Sequence, residues 1–600
     1  MRAQPERTWH NIQPNETTRI PRRHIFLDSE ARHARRGKTG IQTWRLAVAC
    51  YSIGRKGYET KDEWREYKTS QRLWADINTF TASEPRTVLW AHNLGYDIRI
   101  SDAFTELPKL GWKLTGHNIT ARSTWLEWRK DKATLLMVDS VSFFNTTIAQ
   151  MGEWHGIGKV NIELDSDDDR DWFTRCRTDV RILSVAVKAY LDWLERGDMG
   201  NWQITGAAQS WATYRHKHLT HKLTVHDDRN VLAMERRAMW TGRCEAYWRG
   251  EIKGERVYEF DFKAAYPRIA RDNSVPTKLL GPMPSGYRWE GILGSNKSAL
   301  LARVRVDTEQ PVVPCLLGGR ILWPRGRFET TLWDVEIKEA IEAGARVHVL
   351  DGYLYRKAPA LSQWGQWILE QLAESDEAVP AWQKAIYKHW SRALIGRFAM
   401  TYNEWTDWGD ATESNTMRGT ILDVGAGEKY EIMQVGKQIW QDEGRQEWQN
   451  SMPMITGYIQ AIGRVQLWQV LQQLPERSAI YVDTDSILCT GAHVEQIAEI
   501  AANYSPGELR LKRAWDGFAI YGPRQIVTGE QVRVSGVPRM AKRVDKHTFE
   551  GEVWDTLVGA IRNGATNSVV TRDRTWRIEG VDNRRTSTGF GWTKPIHINE

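Results

Sequence analysis

The sequence is poor in cysteine and has no long apolar run. Its five cysteines are scattered without a CxxC pair, which fits a reducing compartment and disfavours both a disulfide framework and a zinc finger. No apolar stretch reaches the roughly 18 residues of a membrane span, and the polar N-terminus lacks the apolar core of a signal peptide. The excess of positive over negative charge is also small, since 82 basic and 75 acidic residues leave a net charge of +7. We therefore expect a cytoplasmic protein with no membrane partner.

The chain does have length and many aromatic residues. With 600 residues, 41% of them hydrophobic, it can bury more than one core, so roughly two to four domains are expected. Most of the 31 tryptophans are expected to lie in these cores. The mildly basic balance is compatible with nucleic acid but does not by itself indicate it.

Two aspartates mark the stretch YVDTDSIL, residues 481–488. Asp483 and Asp485 are two residues apart, and side chains two apart on an extended strand point to the same face. Two buried carboxylates repel each other and lose hydration, and a divalent cation is the usual compensation. The apolar residues on both sides predict a buried strand or hairpin, and they disfavour the alternative of a surface turn with two solvated aspartates.

A second acidic stretch, VYEFDFKAAYPRIA, lies far upstream at residues 257–270. Asp261 ends a short β-like run, and Tyr266 and Pro267 follow five residues later. The proline favours a turn leading into a helix. Together with Asp485, Asp261 would supply the two-metal geometry that clamps the attacking and leaving oxygens in phosphoryl transfer.

These two stretches resemble motifs of the family B DNA polymerases. Residues 481–486 match motif C of that family, YxDTDS, in full. Residues 261–267 match motif A, DxxSLYP, except that Ala264 and Ala265 replace Ser and Leu. The order and separation of the motifs resemble those of the smaller, protein-primed phage branch.

The resemblance assigns roles to the residues of both motifs. It implies that Asp261, Asp483 and Asp485 are catalytic, and that Asp261 and Asp485 bind two Mg²⁺ (or Mn²⁺) ions. It also implies that Ala265 and Tyr266 contact the incoming nucleotide, with Tyr266 stacking under the sugar and excluding ribonucleotides.

A third motif resembles motif B, Kx₃NSxYG, on a predicted helix. Lys388 and Gly396 match it, whereas Arg392 and Ile395 replace the Asn and the Tyr. Lys388 and Arg392 are four residues apart and share a helix face, where they could bind a triphosphate. A solvated basic helix face is the alternative interpretation.

The N-terminal third carries four further carboxylates. A predicted strand ends at residues 28–30, and a basic loop leads to a second strand at residues 43–53. The stretches around these acids resemble the motifs of the DEDD proofreading exonucleases, which have a ribonuclease-H-like fold. Those motifs are DxE, Nx₂₋₃(F/Y)D and Yx₃D. The resemblance implies a second centre with two metal ions, in which the metal-binding catalytic residues are Asp28, Glu30, Asp97 and Asp179.

The same resemblance implies contacts with the single-stranded 3′ end. Asn93 and Tyr96 complete the second motif, and Ser140 and Lys159 occupy positions that in the family hold the primer end and the scissile phosphate. In the third motif, however, Arg175 stands where the family has a tyrosine that helps to orient the attacking water.

Two more segments resemble elements of the family that touch DNA. Trp240 and Gly242 partly match the YxGG linker between exonuclease and polymerase, and Arg243 adds a cation suited to phosphate contact. The KxY motif that grips the primer terminus aligns loosely with residues 524–526, where Arg524 keeps the charge.

The resemblance implies a multidomain fold, α/β and α+β, with a ribonuclease-H-like 3′–5′ exonuclease domain followed by a palm, fingers and thumb polymerase domain. The predicted bounds are a flexible N-terminal segment at 1–23, the exonuclease domain at 24–200, the first part of the palm with motif A at 201–272, an insertion resembling terminal-protein region 1 at 273–360, the fingers with motif B at 361–400, an insertion resembling terminal-protein region 2 at 401–452, the second part of the palm with motif C at 453–540 and the thumb at 541–600.

The sequence therefore predicts a DNA-templated DNA polymerase with a 3′–5′ proofreading exonuclease, replicating a phage or mobile-element genome in the host cytoplasm. Its expected partners are primer-template duplex, single-stranded DNA and deoxynucleoside triphosphates. Priming by a terminal protein, by a nucleic-acid primer or by neither stays open. The alternatives are an exonuclease whose polymerase half only binds DNA, because motif B is altered, and a non-catalytic DNA-binding or assembly protein.

Overall fold

The structure is a computed structural model. It describes residues 7–55, 58–82, 85–120, 123–162, 167–423, 427–504, 509–528, 531–545, 547–578, 584–589 and 591–599. Within these ranges, no helix combines the length and the apolar character that crossing a membrane requires.

Strands and helices alternate in the N-terminal part. In chain order these are β1 His10–Asn11, β2 Arg23–Arg36, β3 Thr39–Arg55, β4 Tyr58–Tyr67, α1 Ser70–Ala82, β5 Arg86–Ala91, α2 Leu94–Ile100, α3 Ala103–Lys109, β6 Lys113–Ile119, β7 Thr124–Lys130, β8 Ala133–Asp139, α4 Val141–Phe144, α5 Ile148–Trp154 and α6 Asp169–Arg196.

Most of these strands form one mixed sheet. Its order is β3-β2-β5-β8-β7-β6, with β2, β5 and β8 parallel and β4 paired to β3. Helix α6 packs an apolar stripe, including Val180, Leu183 and Val187, against one face of the sheet. The basic loop predicted between residues 31 and 42 is instead a continuation of the β2–β3 ladder, which runs to Arg36 and Thr39. This end of the hairpin is exposed to solvent, so its strands can form from polar residues without an apolar face.

The middle of the chain leads from helices into two further sheets. Its elements are α7 Gly206–Thr213, a π-helical turn Tyr214–His218, β9 Thr224–Val225, α8 Arg229–Arg237, β10 Cys244–Ala246, β11 Gly250–Phe262, α9 Ala265–Asp272, β12 Val275–Pro282, β13 Ser298–Thr308, β14 Cys315–Leu317, β15 Arg320–Leu322, β16 Arg325–Trp333, α10 Asp334–Glu342 and β17 Arg346–Ala358.

Two long helices and a long hairpin precede the strands around residues 481–488. These elements are α11 Ser362–Ala373, α12 Ala381–Phe398, β18 Thr401–Asp423, β19 Glu428–Glu447, α13 Pro453–Gln473, β20 Ala479–Asp483, β21 Ser486–Thr490, α14 Val494–Tyr504, β22 Leu509–Gly522, β23 Gln525–Thr528 and β24 Gln531–Val534. A seven-stranded sheet in the order β10-β20-β21-β11-β22-β23-β24 brings the two acidic stretches together, and α13 packs behind it.

The C-terminal residues add strands to two sheets that are formed by earlier parts of the chain. They form β25 Lys542–Arg543, β26 Thr548–Trp554, α15 Leu557–Arg562, β27 Val569–Arg577, β28 Arg585–Ser587, β29 Thr593–Pro595 and β30 His597–Ile598. Strand β27 pairs with β3, which extends the N-terminal sheet, and β30 joins the sheet β12-β17-β13-β16 at its edge.

The N-terminal segment corrects one expectation. Residues 1–6 of the predicted flexible segment lie outside the described residues. From Arg7 onwards the chain is anchored, because the Arg7 guanidinium donates to the carbonyls of His226 and Trp448 and to the Ser451 hydroxyl. Strand β1 pairs with β9, and Ile12 is buried. Hydrogen bonds to distant residues hold this segment in place, and such bonds leave no apolar pattern in the sequence.

Candidate active sites

The first candidate site lies where β11, β20 and β21 end side by side. Asp261 is the cross-strand neighbour of Ser486, and the Phe262 N–H donates to the Asp485 carbonyl at 2.9 Å. Asp483 ends β20, and Asp485 lies in the tight turn to β21. The two aspartates therefore meet at the turn of a hairpin, which is one of the two arrangements, a buried strand or a hairpin, that the sequence predicts.

Thr484 makes that turn possible at some conformational cost. Its φ of 61° lies in the left-handed region, which is uncommon for a β-branched residue. The Thr484 N–H donates to the Arg243 carbonyl at 2.8 Å. A Cβ atom on Gly242 would come within 2.6 Å of the threonine side chain. Only glycine at position 242 allows this close approach, so the linker segment supports the turn.

Mutual repulsion of carboxylates shapes the electrostatics of this site. Burial, followed by the charge of Asp261, raises the pKa of Asp485 to about 6. Asp261 Oδ2 lies 2.7 Å from Lys512 Nζ, whereas its Oδ1 is buried and accepts no hydrogen bond from the described residues. Asp483 is more exposed and lies 4.0 Å from the Arg524 guanidinium. The negative charge of the three aspartates is thus only partly compensated, and Asp261 Oδ1 is available to accept a further contact.

Sequence reasoning missed Lys512 as a site residue. The pairing of β11 with β22 shifts register between residues 259 and 260, which leaves Lys512 as the extra residue of a β-bulge beside Asp261. A bulge redirects a side chain relative to the strand. Arg510, directly opposite Asp261, places its Nε 3.8 Å from Asp261 Oδ1. The signal in the sequence is the basic run LRLKR, but the bulge that orients Lys512 is not readable from it.

Tyr266 connects the carboxylates to the helices. It lies in the first turn of α9, which follows Ala264, whose φ of 51° turns the chain out of β11. Its side chain lines a small pocket with Ala265, Arg464 and Asp485. Burial raises the pKa of Tyr266, Asp485 raises it further, and the cations Arg464 and Arg392 oppose the rise. Tyr266 therefore lies within electrostatic reach of both Asp485 and α12.

The exposed face of α12 carries two free cations. Lys388 and Arg392 are exposed on successive turns, and neither has an ion pair within the described ranges. Lys384, one turn earlier, differs because its ammonium lies 2.6 Å from Asp376 Oδ1. An anion approaching this face would therefore meet Lys388 and Arg392 and not Lys384.

Two predicted DNA contacts in the linker lie inside the protein. The Trp240 indole N–H donates to the Thr331 carbonyl at 2.9 Å, and the residue is 7% exposed. Arg243 is 1% exposed and forms ion-paired contacts with Glu245, which also binds Arg585. Neither side chain presents a surface to DNA, because Trp240 is bound to β16 and Arg243 is bound to Glu245 of β10.

A groove between the N-terminal sheet and the long hairpin was also missed. It runs between β6, the start of α7, the base of β18 and β19, and α15. Its lining mixes aromatic and polar side chains with cations, among them Asn118, Trp125, Tyr402, Arg418 and Arg445. Such a lining suits single-stranded nucleic acid, whose bases stack and whose phosphates carry charge.

The second candidate site lies on the N-terminal sheet, beside the middle of β2. Asp28 and Glu30 project from β2, Asp97 comes from α2, and Asp179 comes from α6. The Ser29 N–H and hydroxyl both donate to Asp97 Oδ1, at 2.9 and 2.7 Å, which joins the first two motifs. The structure thus brings together the four acids that the sequence predicts.

The acids of this second site hold protons more strongly than usual. Burial raises the pKa of Asp28 well above its ordinary range, and the charges of Asp97, Asp179 and Glu30 raise it further. Burial likewise raises the pKa of Asp97 to about 8 and that of Glu30 to about 7. Concentrated, poorly hydrated negative charge of this kind is typical of a cation site.

Two cations of the chain already contact this cluster. Lys159 Nζ lies 3.0 Å from Asp179 Oδ2, and Arg175 Nε lies 3.0 Å from Glu30 Oε1. Lys159 therefore contacts the fourth acid, and its contact with the scissile phosphate stays a prediction. Arg175 occupies the position of the absent tyrosine and points into the same cluster.

The three remaining predicted contacts of this site differ in exposure. Asn93 is exposed at the start of α2, and the Tyr96 hydroxyl donates to Gln42 Oε1 at 3.0 Å. Ser140 is fully buried, with its hydroxyl 2.8 Å from His92 Nδ1. Asn93 and Tyr96 can therefore face a strand of DNA, whereas any effect of Ser140 must pass through His92.

The carboxylates fit divalent cations, although they form no closed cage. Within the described ranges, no three Asp, Glu, His or Cys side chains are arranged as a complete metal site. Mg²⁺ is commonly held by one or two carboxylates together with substrate phosphates and water, so a complete protein cage is not required. The unpartnered Asp261 Oδ1 and Asp179 Oδ1 are buried acceptor oxygens suited to such an ion.

Comparisons with known proteins agree with this arrangement. Residues 169–423 match the family model described as DNA polymerase type B, organellar and viral. No curated protein sequence matches the chain. Phi29 DNA polymerase in a ternary complex with primer-template DNA and incoming nucleotide substrates is similar over 94% of this chain and 100% of that chain, with 13% identity and a TM-score of 0.65. The same enzyme complexed with single-stranded DNA gives a TM-score of 0.64 at 13% identity, over 93% and 100% of the two chains.

The fold defines the class of the protein. It is a multidomain α/β and α+β fold, as the sequence predicts, and it is similar to the fold of phi29 DNA polymerase. Within that class, the family match confirms the resemblance to the family B DNA polymerases that the motifs indicate. The predicted domain bounds and the roles of individual residues stay predictions.

Proposed function

We propose that this chain extends the 3′ end of a DNA primer on a DNA template with deoxynucleoside triphosphates, and that it proofreads with a 3′–5′ exonuclease. The observation that carries the proposal is the meeting of Asp261 and Asp485 at the ends of paired strands. Tyr266 lies within electrostatic reach of both Asp485 and Arg392 of the exposed cationic helix face.

Asp261 and Asp485 would hold two Mg²⁺ or Mn²⁺ ions, with Asp483 supporting them. When bound, such ions neutralise phosphate charge and stabilise the entering and leaving oxygens of an in-line displacement. The protein itself contributes position and charge. Asp485, with a pKa of about 6, is mostly ionised above neutral pH, and Lys512 keeps Asp261 in place beside it.

The nucleotide would lie between the carboxylates and α12. Lys388 and Arg392 have no acidic partner within the described ranges, so their charge is available for a triphosphate. Tyr266 would lie under the sugar and leave no room for a 2′-hydroxyl. Catalysis would then rest mainly on positioning and charge neutralisation, as in other phosphoryl transfers.

The DNA would contact both centres. The groove lined by Trp125, Tyr402 and Arg418 offers a route for a single-stranded template. At the other centre, Asn93 and Tyr96 would contact a frayed 3′ end, with divalent ions at Asp28 and Asp97. Replication of a phage or mobile-element genome, a terminal protein as partner and the host cytoplasm as location stay predictions.

Primer extension tests the proposal directly. With Mg²⁺, a primer-template and all four deoxynucleotides, we expect templated extension by the wild-type protein and none by Asp261→Asn. The matched control is Asp272→Asn, an exposed carboxylate on α9 that pairs only with its neighbour Arg271 in the described structure, and it should extend normally.

The two rival functions give different results in the same assay. An exonuclease whose polymerase half only binds DNA would shorten single strands and retain primer-template, but would add no nucleotide. A non-catalytic DNA-binding protein would do neither. Extension that continues undiminished in Asp261→Asn would also refute the proposed centre.

A further inference from the structure

Arg175 is the one residue of the exonuclease centre whose chemistry differs from the motif it resembles. It lies on α6 four residues before Asp179, so the two side chains share a helix face. Its side chain is 22% exposed, so it reaches the solvent-facing side of the acidic cluster. A guanidinium cannot replace a phenol by shape or acidity, so its presence calls for its own explanation.

The Arg175 guanidinium is held from two sides. Its Nε lies 3.0 Å from Glu30 Oε1, and its central carbon lies 5.5 Å from the centre of the Trp172 ring. Trp172 is 1% exposed and is also covered by Arg45, so it forms a fixed platform. Stacking on an indole fixes the plane of the guanidinium while leaving its edge free.

The closest approach to Glu30 is made by the buried Nε, and the two Nη groups donate no hydrogen bond within the part of the chain that the structure describes. A guanidinium fork matches the two non-bridging oxygens of a phosphodiester. The cluster around it is acidic, so a second anion such as the DNA phosphate needs a local cation. Arg175 supplies that cation next to Glu30, as Lys159 does next to Asp179.

We propose that Arg175 is a catalytic residue of the 3′–5′ exonuclease that binds the scissile phosphate through its Nη groups. This inference rests on the proposed exonuclease function. In the reaction, a water oxygen bonds to phosphorus while the bond from phosphorus to the 3′ oxygen breaks. The water gives up one proton to solvent, and the departing oxygen takes one up, so a nucleoside monophosphate is released. Arg175 stabilises the charge that builds on the non-bridging oxygens during this step.

The test measures degradation of a single-stranded oligonucleotide by Arg175→Ala. Loss of a preorganised donor to a developing oxyanion is expected to lower kcat by about 10²-fold. Guanidinium ion at a low, non-denaturing concentration should restore part of this rate, because it can occupy the vacated place on Trp172. The matched control is Arg177→Ala, which removes a guanidinium on the same helix that pairs with Glu66 at 3.0 Å, and it should neither slow degradation nor respond to guanidinium.

A second readout is independent of activity. Mn²⁺ binding, counted by electron paramagnetic resonance, should be the same in the wild type and in Arg175→Ala. If Arg175 only occupies a cation position, the alanine variant will bind Mn²⁺ more tightly and degrade DNA as fast as the wild type or faster, which overturns the proposal. A loss of rate that guanidinium does not restore also overturns it. A wild type that degrades no DNA would instead refute the exonuclease function itself.

Discussion

The two carboxylate centres of this molecule are built in different ways. In the proposed polymerase centre, three aspartates lie at the ends of strands, and their nearest cation, Lys512, comes from the next strand of the same sheet. In the proposed exonuclease centre, four acids are enclosed between a sheet and two helices, and Asp97 is only 1% exposed. Enclosure raises the proton affinity of these acids further, so the pKa of Asp97 is about 8, whereas that of Asp485 is about 6.

The centres also differ in what stabilises them from behind. The polymerase turn rests on the linker, through Gly242 and the Arg243 carbonyl. Helix α2 of the exonuclease centre instead rests on the C-terminal residues, because the buried Arg99 binds Asp555 through both carboxylate oxygens, at 2.9 and 2.8 Å. Each centre can therefore be weakened without disturbing the other.

The largest expected effect is a separation of the two activities by single substitutions. Asp485→Asn should lower the rate of primer extension by about 10³-fold or more. The variant lacks a carboxylate for the metal ions, which stabilise the charge of the transition state by several kcal/mol. It should leave degradation of single strands within about threefold of wild type, since the exonuclease acids are unchanged.

Asp28→Asn should give the reverse pattern by the same reasoning. Both variants are compared in one assay with a mispaired primer, which reports extension and shortening on one gel. Equal loss of both activities in either variant would mean that the two centres are not independent.

A smaller effect is expected from the support behind α2. Asp555→Ala leaves the buried Arg99 guanidinium without its carboxylate, which should lower the free energy of unfolding by about 2–3 kcal/mol. Hydrogen exchange should show the loss in α2 and β27, and exonuclease activity should fall while extension is kept. A matched control is Asp573→Ala, whose exposed pair with Arg35 should contribute about 1 kcal/mol or less.

Removing a free cation from α12 should have an effect of similar or smaller size. Arg392→Ala should raise KM for deoxynucleotides by about 10- to 100-fold, the loss expected for one charge-assisted contact with a phosphate. Lys384→Ala provides the control, because Lys384 is already paired with Asp376. If both variants raise KM equally, the exposed face of α12 is not specific for the nucleotide.

The smallest expected effect concerns stability and pH in metal-free buffer. Because the pKa of Asp485 is raised from 3.8 to about 6, its ionised form is disfavoured in the folded state. The penalty is absent below about pH 4 and complete above about pH 6, so Asp485→Asn should stabilise the protein only at the higher pH. For Asp97→Asn the gain should continue to grow until about pH 8, in keeping with its pKa of about 8.

Thermal unfolding across this pH range, with a chelator present, measures both curves. Stabilisation that does not depend on pH, or that ends at the same pH for both variants, would show that the two centres do not differ in enclosure.

The sequence predicts the acids well because motifs fix residue types at short spacing. Each predicted acid belongs to a short motif, as in residues 261–267 and 481–486, and the structure brings the acids of each centre together. The fold class was predictable for the same reason. Long-range supports were not, because nothing near Asp555 in the sequence identifies Arg99 as its partner, and the pairing of β27 with β3 joins the two ends of the chain.

Other residues escaped prediction because backbone geometry decides their direction. Lys512 reaches Asp261 only through a bulge, and the left-handed backbone conformation of Thr484 is not apparent from the residue types around it. Burial was also misjudged for Arg243, since a cation in a linker suggests a surface until Glu245 is found beside it. Polar networks between distant segments leave little periodic signal to read.

The central claim is that Asp261 and Asp485 jointly hold the ions of DNA synthesis. Crystals of the protein with primer-template, a non-hydrolysable deoxynucleotide and Mn²⁺ would locate those ions by their anomalous scattering. The account predicts anomalous peaks within about 2.0–2.3 Å of oxygens from both Asp261 and Asp485, the usual range for such ions. Peaks that contact neither aspartate, or only one of them with the nucleotide bound elsewhere, would contradict it.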